Sequence, residues 1–166
     1  MYGNIVDYEG IHVRLLSEFD IETLRTLRNK DKNRINFIYQ KEISHKEQSA
    51  WYDSYCKNNT DYMYSIIRKS DNALIGFAAL YNINHDEAEF GRLLVDKEKY
   101  KQSGLGTYIL KHLISIAKEE LHLKKITLEV FSDNIPALTI YNRCGFKEYS
   151  RSIINDREII KMELYL

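Results

Sequence analysis

From Phe90 to Phe131 the chain reads as an apolar run, a glycine-bearing loop, a long helical period and a second apolar run, and that order leaves few folds open. Phe90 to Val95 is short and apolar, as a buried strand is. Leu105 to Leu121 repeats its apolar residues at helical spacing, and Lys125 to Phe131 alternates through Ile126, Leu128 and Val130. Strands joined through a helix of this length lie parallel in one sheet, with a right-handed crossover. Between the first strand and the helix stands Lys101-Gln102-Ser103-Gly104-Leu105-Gly106, so both glycines fall on a strand-to-helix turn. The first N–H groups of a helix lack intrahelical partners and sit at the positive end of its dipole, which suits a pyrophosphate. A residue without Cβ lets phosphate oxygens approach the backbone closely.

Two familiar glycine loops are excluded. A Walker loop ends in Gly-Lys-Ser/Thr and a dinucleotide fingerprint needs Gly-x-Gly-x-x-Gly, whereas here Gly106 is followed by Thr107, Tyr108 and Ile109. A lone Gly-x-Gly pair most often just opens a helix. This one is followed, after the Lys125 to Phe131 strand, by Asn134-x-x-Ala137-x-x-x-Tyr141-x-x-x-Gly145-Phe146.

Together, Lys101-x-x-Gly104-x-Gly106 and this second pattern resemble the two signature motifs of the GNAT superfamily, the acetyl-CoA-dependent N-acetyltransferases. The family usually opens its first motif with Gln or Arg, and Lys101 keeps the charge. The resemblance covers residues 60 to 165 clearly and the earlier part more loosely. It implies an α/β fold: a single domain over residues 1–166 with a central mixed, mostly antiparallel sheet and about four helices. Two parallel strands splay apart in that fold, and the pantetheine arm lies in the gap. The implied acetyl-CoA contacts are Leu93, Leu94 and Val95 on the strand, Lys101, Gln102, Ser103, Gly104, Leu105, Gly106 and Thr107 around the loop, and Asn134, Ala137 and Tyr141 beyond it.

At 166 residues the chain is long enough for one compact core and short for two. Lys plus Arg equals Asp plus Glu at 24 each, so no global field draws it to nucleic acid or an anionic membrane. No apolar segment is long enough to span a bilayer, and Met1 to Gly10 carries Asp7 and Glu9 rather than a secretory signal, which points to a cytoplasmic protein. Cys56 and Cys144 show no metal-type spacing and are read as reduced thiols. The five histidines form no His-x3-His pair, so no metal is expected.

Along the chain, Ile11 to Leu16 alternates as a strand, with Ile5 to Tyr8 as a candidate partner. Ser17 and Asp20 have capping-box spacing ahead of Ile21, Leu24 and Leu27, giving a helix that ends near Arg28-Asn29; 30–33 is a loop, and the segment on to Gln40 is ambiguous. Ser44 and Glu47 cap a second helix from His45 to about Lys57, whose Trp51 reads as core. Tyr52 and Tyr55 can leave their hydroxyls at a pocket wall. Tyr62 to Lys69 and Ala73 to Asn82 form a hairpin leading into Glu87 to Val95. After the second motif's helix, 135–143, two strands near Phe146 to Ile153 and Arg157 to Tyr165 close the chain.

Acetyl transfer from a thioester to an amine needs a deprotonated nucleophile, stabilisation of an oxyanion and a proton for the departing thiolate. No Ser/His/Asp or Cys/His arrangement is legible, so direct attack is favoured over an acyl-enzyme. Cys144, beside Gly145, reads as a packed thiol. Tyr141 is the expected general acid: a phenol of pKa about 10 stays protonated at neutral pH and can donate to a thiolate. The resemblance assigns the same role to that position. Glu129, interrupting an apolar strand, and Glu89, early on the strand before the loop, compete for general base; the plain alternative for each is a salt bridge, with Arg92 an obvious partner.

Leu27-Arg28-Asn29 and Ala88-Glu89-Phe90-Gly91 resemble the branch holding ribosomal-protein N-terminal and nucleotide-linked aminosugar acetyltransferases. That resemblance favours a small aminosugar acceptor held by Arg28, Asn29, Tyr52, Tyr55, Tyr81 and Arg92. The alternatives are a protein N-terminal amine and a silent acyl-CoA-binding module. A monomer or homodimer with a small-molecule substrate is expected.

Overall fold

The structure is a computed structural model that describes residues 10–166, so the expected strand Ile5 to Tyr8 lies outside the described residues. Seven strands form one sheet: β1 (Ile11–Leu15), β2 (Tyr62–Arg68), β3 (Ala73–Tyr81), β4 (Glu87–Val95), β5 (Lys125–Phe131), β6 (Lys147–Ile154) and β7 (Arg157–Tyr165). Their order is β1-β2-β3-β4-β5-β7-β6, and every neighbouring pair is antiparallel except β4 and β5. That parallel pair is the one demanded by the strand–helix–strand order.

The helices are α1 (Ile21–Asn29), the single turn α2 (Asp31–Arg34) largely where 30–33 was expected to be a loop, α3 (His45–Tyr55), α4 (Leu105–Ser115) and α5 (Ile135–Arg143). The expected helix to Leu121 is α-helical only to Ser115 and continues as a π-helical turn, Ile116–Glu120. Both capping boxes form. Glu47 accepts the Ser44 N–H at 2.7 Å, and Asp20 accepts the Ser17 N–H at 2.9 Å.

Strand alternation sends side chains to two cores. Tyr64, Ile66, Ile75, Ala78, Leu80, Ala88, Phe90, Ile126, Leu128 and Val130 pack under α4 and α5, whereas Met63, Phe77, Ala79 and Leu94 pack under Leu24 and Leu27 of α1 and the aromatic side of α3. Two of these strands break the alternation: β3, where Ile66 pairs with Gly76 and Ile67 with Leu74 so that Ile75 shares a core with Ala78 and Leu80, and β4. Phe77 pairs with Leu94 and Ala79 with Gly91, so β4 carries one extra residue opposite Ala78 and Arg92 sits at φ +53°. Before this bulge the even-numbered residues of β4 face α4 and α5; after it Leu93 and Val95 do, and Leu94 faces α1.

The bulge also ends the parallel pairing. β4 and β5 pair only through Glu87–Lys125, Ala88–Ile126 and Glu89–Thr127, although both strands run on by several residues. Beyond Glu89 they splay, as the resemblance implied, and among the described residues no strand pairs with β4 on that side.

Candidate active site

The splay holds a cavity of about 350 Å³ lined from both faces of the sheet: Tyr81, Gly91, Arg92 and Glu129 from one, Leu93, Asn134, Ala137 and Tyr141 from the other. A second cavity of about 390 Å³ lies under α1 and α3, lined by Leu24, Gln48, Trp51 and Met63 among others. Arg28, Phe37, Tyr39, Arg92 and Leu94 wall both.

Tyr141 is placed by α5. Asn134 caps that helix through a bond from the Ala137 N–H at 3.3 Å, Pro136 occupies the first turn, and Gly145 at φ +93° ends it, so that the Phe146 N–H returns to the Tyr141 carbonyl at 3.1 Å. The Tyr141 ring stands edge-on to Phe90 at 6.1 Å and tilted on Phe146 at 6.0 Å. It is 7% exposed, and burial pushes its phenol up to about 12, so it is protonated at neutral pH. No described residue hydrogen-bonds its hydroxyl.

The two candidate bases differ in position. Glu129 lies on the cavity wall with Lys161 of β7 at 3.0 Å. Glu89 accepts Asn82 Nδ2 at 3.0 Å and does not line the cavity, which its neighbour Tyr81 does. Burial first, and then the Glu89 carboxylate, push the Tyr81 phenol up. The expected partner Arg92 pairs with neither glutamate. It binds Asp61 through both carboxylate oxygens at 2.7 and 2.8 Å and stacks 4.5 Å from the Tyr81 ring centre, because its left-handed backbone turns the side chain along the sheet face.

Other expected acceptor residues sit elsewhere. The aromatic wall is Trp51 and not Tyr52 or Tyr55. Tyr55 stacks behind Trp51 at 5.2 Å with its hydroxyl accepting the Met63 N–H, and Tyr52 stacks on Tyr55 in turn. Asn29 does not line either cavity: its amide clasps the Ile43 backbone N–H and carbonyl, both at 2.8 Å, and so positions the loop between α2 and α3. Phe37, Tyr39 and Ile43 of that loop line the cavity under α1 and α3, and no periodic pattern in their segment pointed to them. Cys144 lies in a separate pocket with Lys111 and Leu164, and burial pushes its thiol up, consistent with packing.

The loop before α4 fits an acyl-CoA pyrophosphate. Gly104 is the N-cap at φ +93°, with open space where a Cβ would stand; Lys101, Gln102 and Ser103 are exposed. The N–H groups of Leu105, Gly106 and Thr107 open the helix and have no partner earlier in it. The two glycines do different work. A Cβ on Gly106 would meet Ile140 Cδ1 at 2.9 Å, so Gly106 serves close packing of α4 on α5, and the Leu105 side chain is core. Among the described residues no group of His, Cys, Asp and Glu could hold a metal. No helix there is long and apolar enough to cross a membrane.

A family model described as Acetyltransferase (GNAT) family matches residues 22–146. The chain belongs to the GNAT acetyltransferase family. Within it, spermine/spermidine N(1)-acetyltransferase of Bacillus subtilis is 33% identical over 97 residues, 55% of this chain and 64% of that protein, so the chain spans a little under two-thirds of that relative's length. Spermidine N(1)-acetyltransferase of Vibrio cholerae is 25% identical over 139 residues, 82% of this chain and 78% of that protein. The Vibrio cholerae spermidine N-acetyltransferase solved with CoA and spermine superposes with a TM-score of 0.86, covering 95% of this chain and 96% of that chain at 22% identity, a likeness of fold. These GNAT relatives are not of the ribosomal-protein or aminosugar branch that Leu27-Arg28-Asn29 and Ala88 to Gly91 suggested; seven residues in two short segments are too few to fix a branch. The same Vibrio cholerae enzyme also forms a dodecamer, beyond the monomer or homodimer expected here.

Proposed function

We propose that the chain transfers the acetyl group of acetyl-CoA to a primary amine of a small molecule by direct attack. The observation that carries this reading is that Tyr141 of α5 and Glu129 of β5, on opposite faces of the sheet, line one cavity inside the β4–β5 gap. When bound, acetyl-CoA supplies the thioester. The N–H groups at the start of α4 hold its pyrophosphate, and the unpaired edge of β4 from Gly91 to Val95 offers backbone partners to its arm. Glu129 would take a proton from the acceptor's ammonium, directly or through water, so that the free amine attacks the thioester carbonyl, and Tyr141, protonated at neutral pH, would give its proton to the departing thiolate. Glu89 is the second acceptor, one step further out behind Tyr81.

Two relatives named for spermidine and spermine support polyamines as an acceptor class to assay first. The test is release of free thiol from acetyl-CoA against a panel of primary amines that includes spermidine. Turnover above the amine-free rate on at least one amine is expected. Stabilisation by acetyl-CoA with no turnover on any would make the chain a silent acyl-CoA-binding module.

A further inference from the structure

Four charged side chains line the two cavities, and three of them are already partnered. Arg92 holds both oxygens of Asp61, Glu129 faces Lys161, and Glu47 accepts the Ser44 N–H and hydroxyl, each at 2.7 Å. Arg28 is the exception. It is 8% exposed, and among the described residues no carboxylate pairs with it. One terminal nitrogen donates to the Tyr39 carbonyl, the guanidinium lies 3.8 Å over the Phe37 ring, and the other terminal nitrogen, Nη1, is buried with no hydrogen-bond partner among the described residues. Its neighbour Arg34 adds repulsion rather than relief.

A buried guanidinium with a missing partner is costly to the fold unless something else supplies the negative charge. Arg28 stands on the wall common to both cavities, and no residue of the α4 loop lines either of them. The anion it lacks is therefore on the acceptor side and not the cofactor's pyrophosphate. Resting on the acetyltransferase reading above, we infer that the acceptor is an amine that also carries an anionic oxygen group, a carboxylate or a phosphate, which Arg28 binds in charge-assisted fashion while the amine lies in the gap beside Tyr141 and Glu129. The planar fork of an arginine suits two oxygens of either group. A polycation places ammonium groups against this same wall, where both carboxylates already have partners. The proposal thus separates this chain's acceptor from the polyamines of its named relatives.

The experiment compares kcat/KM for four matched probes with saturating acetyl-CoA: 4-aminobutyrate, 3-aminopropylphosphonate, the neutral 4-amino-1-butanol and spermidine. At least one anionic probe should exceed both the neutral amine and spermidine by about tenfold or more, as expected for a buried charge-assisted bond. The carboxylate and phosphonate arms tell the two sources apart. In Arg28→Met that preference should fall to within about twofold, through KM more than kcat, and Arg28→Lys should keep part of it. Equal or better use of spermidine or of the neutral amine by the wild type overturns the proposal while leaving the acetyltransferase reading intact, and it does so even if Arg28→Met does not fold. If no amine turns over, the acetyltransferase reading falls, and calorimetric binding of the four probes to CoA-saturated protein decides the anion site by itself. Tighter binding of an anionic probe, lost in Arg28→Met, supports it, and indifference to the anion overturns it.

Discussion

At the scale of single residues, the site depends on which side chains have partners and which do not. Tyr141 has its ring packed against Phe90 and Phe146 and its hydroxyl unengaged, so packing and proton donation can be separated. In Tyr141→Phe the rings stay, the melting temperature should remain within a few degrees, and turnover should fall by about tenfold or more, a loss of about 1.4 kcal/mol in the transition state. A variant that melts early but turns over normally once folded would make the tyrosine a packing residue only. Glu129→Gln should cost most at low pH, where little free amine exists and a base matters more, and Glu89→Gln should cost less; pH–rate profiles of both variants check this. Tyr141 could be singled out because the Asn134 to Phe146 pattern resembles a family motif, and its role as acid is what Tyr141→Phe tests. Trp51 and Tyr55 were not correctly assigned to wall and core, because helical spacing puts both on one face and only the loop that carries Phe37 and Tyr39 decides which of them meets the cavity.

At the scale of elements, glycine conformation and one carboxylate set the frame. Gly104 has free space around a would-be Cβ, so the penalty for Gly104→Ala is backbone strain at φ +93°, about 1 kcal/mol, with weaker acetyl-CoA binding as the loop relaxes. Gly106→Leu should instead push α5 away through Ile140, lowering the melting temperature and turnover together. Calorimetric acetyl-CoA titration of the two variants distinguishes these effects. Asp20 joins three elements: it binds Arg14 of β1 at 2.6 and 2.9 Å, Ser65 of β2 at 2.9 Å and the Ser17 N–H ahead of α1. Burial alone would raise its pKa, but Arg14, the Ser17 N–H and the two serine hydroxyls outweigh that and hold it at about 2. A carboxylate depressed in the fold gives stability that is present above the unfolded value near 4 and lost as pH falls toward 2. Asp20→Asn should therefore lower stability by roughly 2 kcal/mol at pH 6, and the gap from wild type should close as pH falls toward 2, as read by urea unfolding at each pH. Ser17 and Asp20 announced the helix start; the reach to Ser65 is a long-range bond that no local pattern encodes.

At the scale of the whole molecule, the sheet is two blocks, β1 to β4 and β5 to β7, joined by a seam of three residue pairs. Acetyl-CoA in the gap would span that seam. Amide exchange in peptides covering 91–95 and 128–131 should slow on its addition while the β6–β7 hairpin is unchanged, and a hundredfold excess over Kd should add about 2.7 kcal/mol to unfolding stability. The parallel pair and both helices around the loop were readable from periodicity, but the bulge at Arg92 was not, because one additional residue leaves an apolar run looking like any strand.

That additional residue has a consequence for how the gap could be lost. Deleting Arg92 would leave both signature motifs, Tyr141, Glu129 and the α4 loop untouched in sequence. It would also restore strict alternation along β4, with Leu93 and Val95 still toward α4 and Leu94 still toward α1, and let the strand follow β5 to its end. A chain so altered would still match its family over the same span, yet the sheet would be zipped shut where the two substrates must meet. The opening is written in a residue count, and a comparison of motifs alone does not register it.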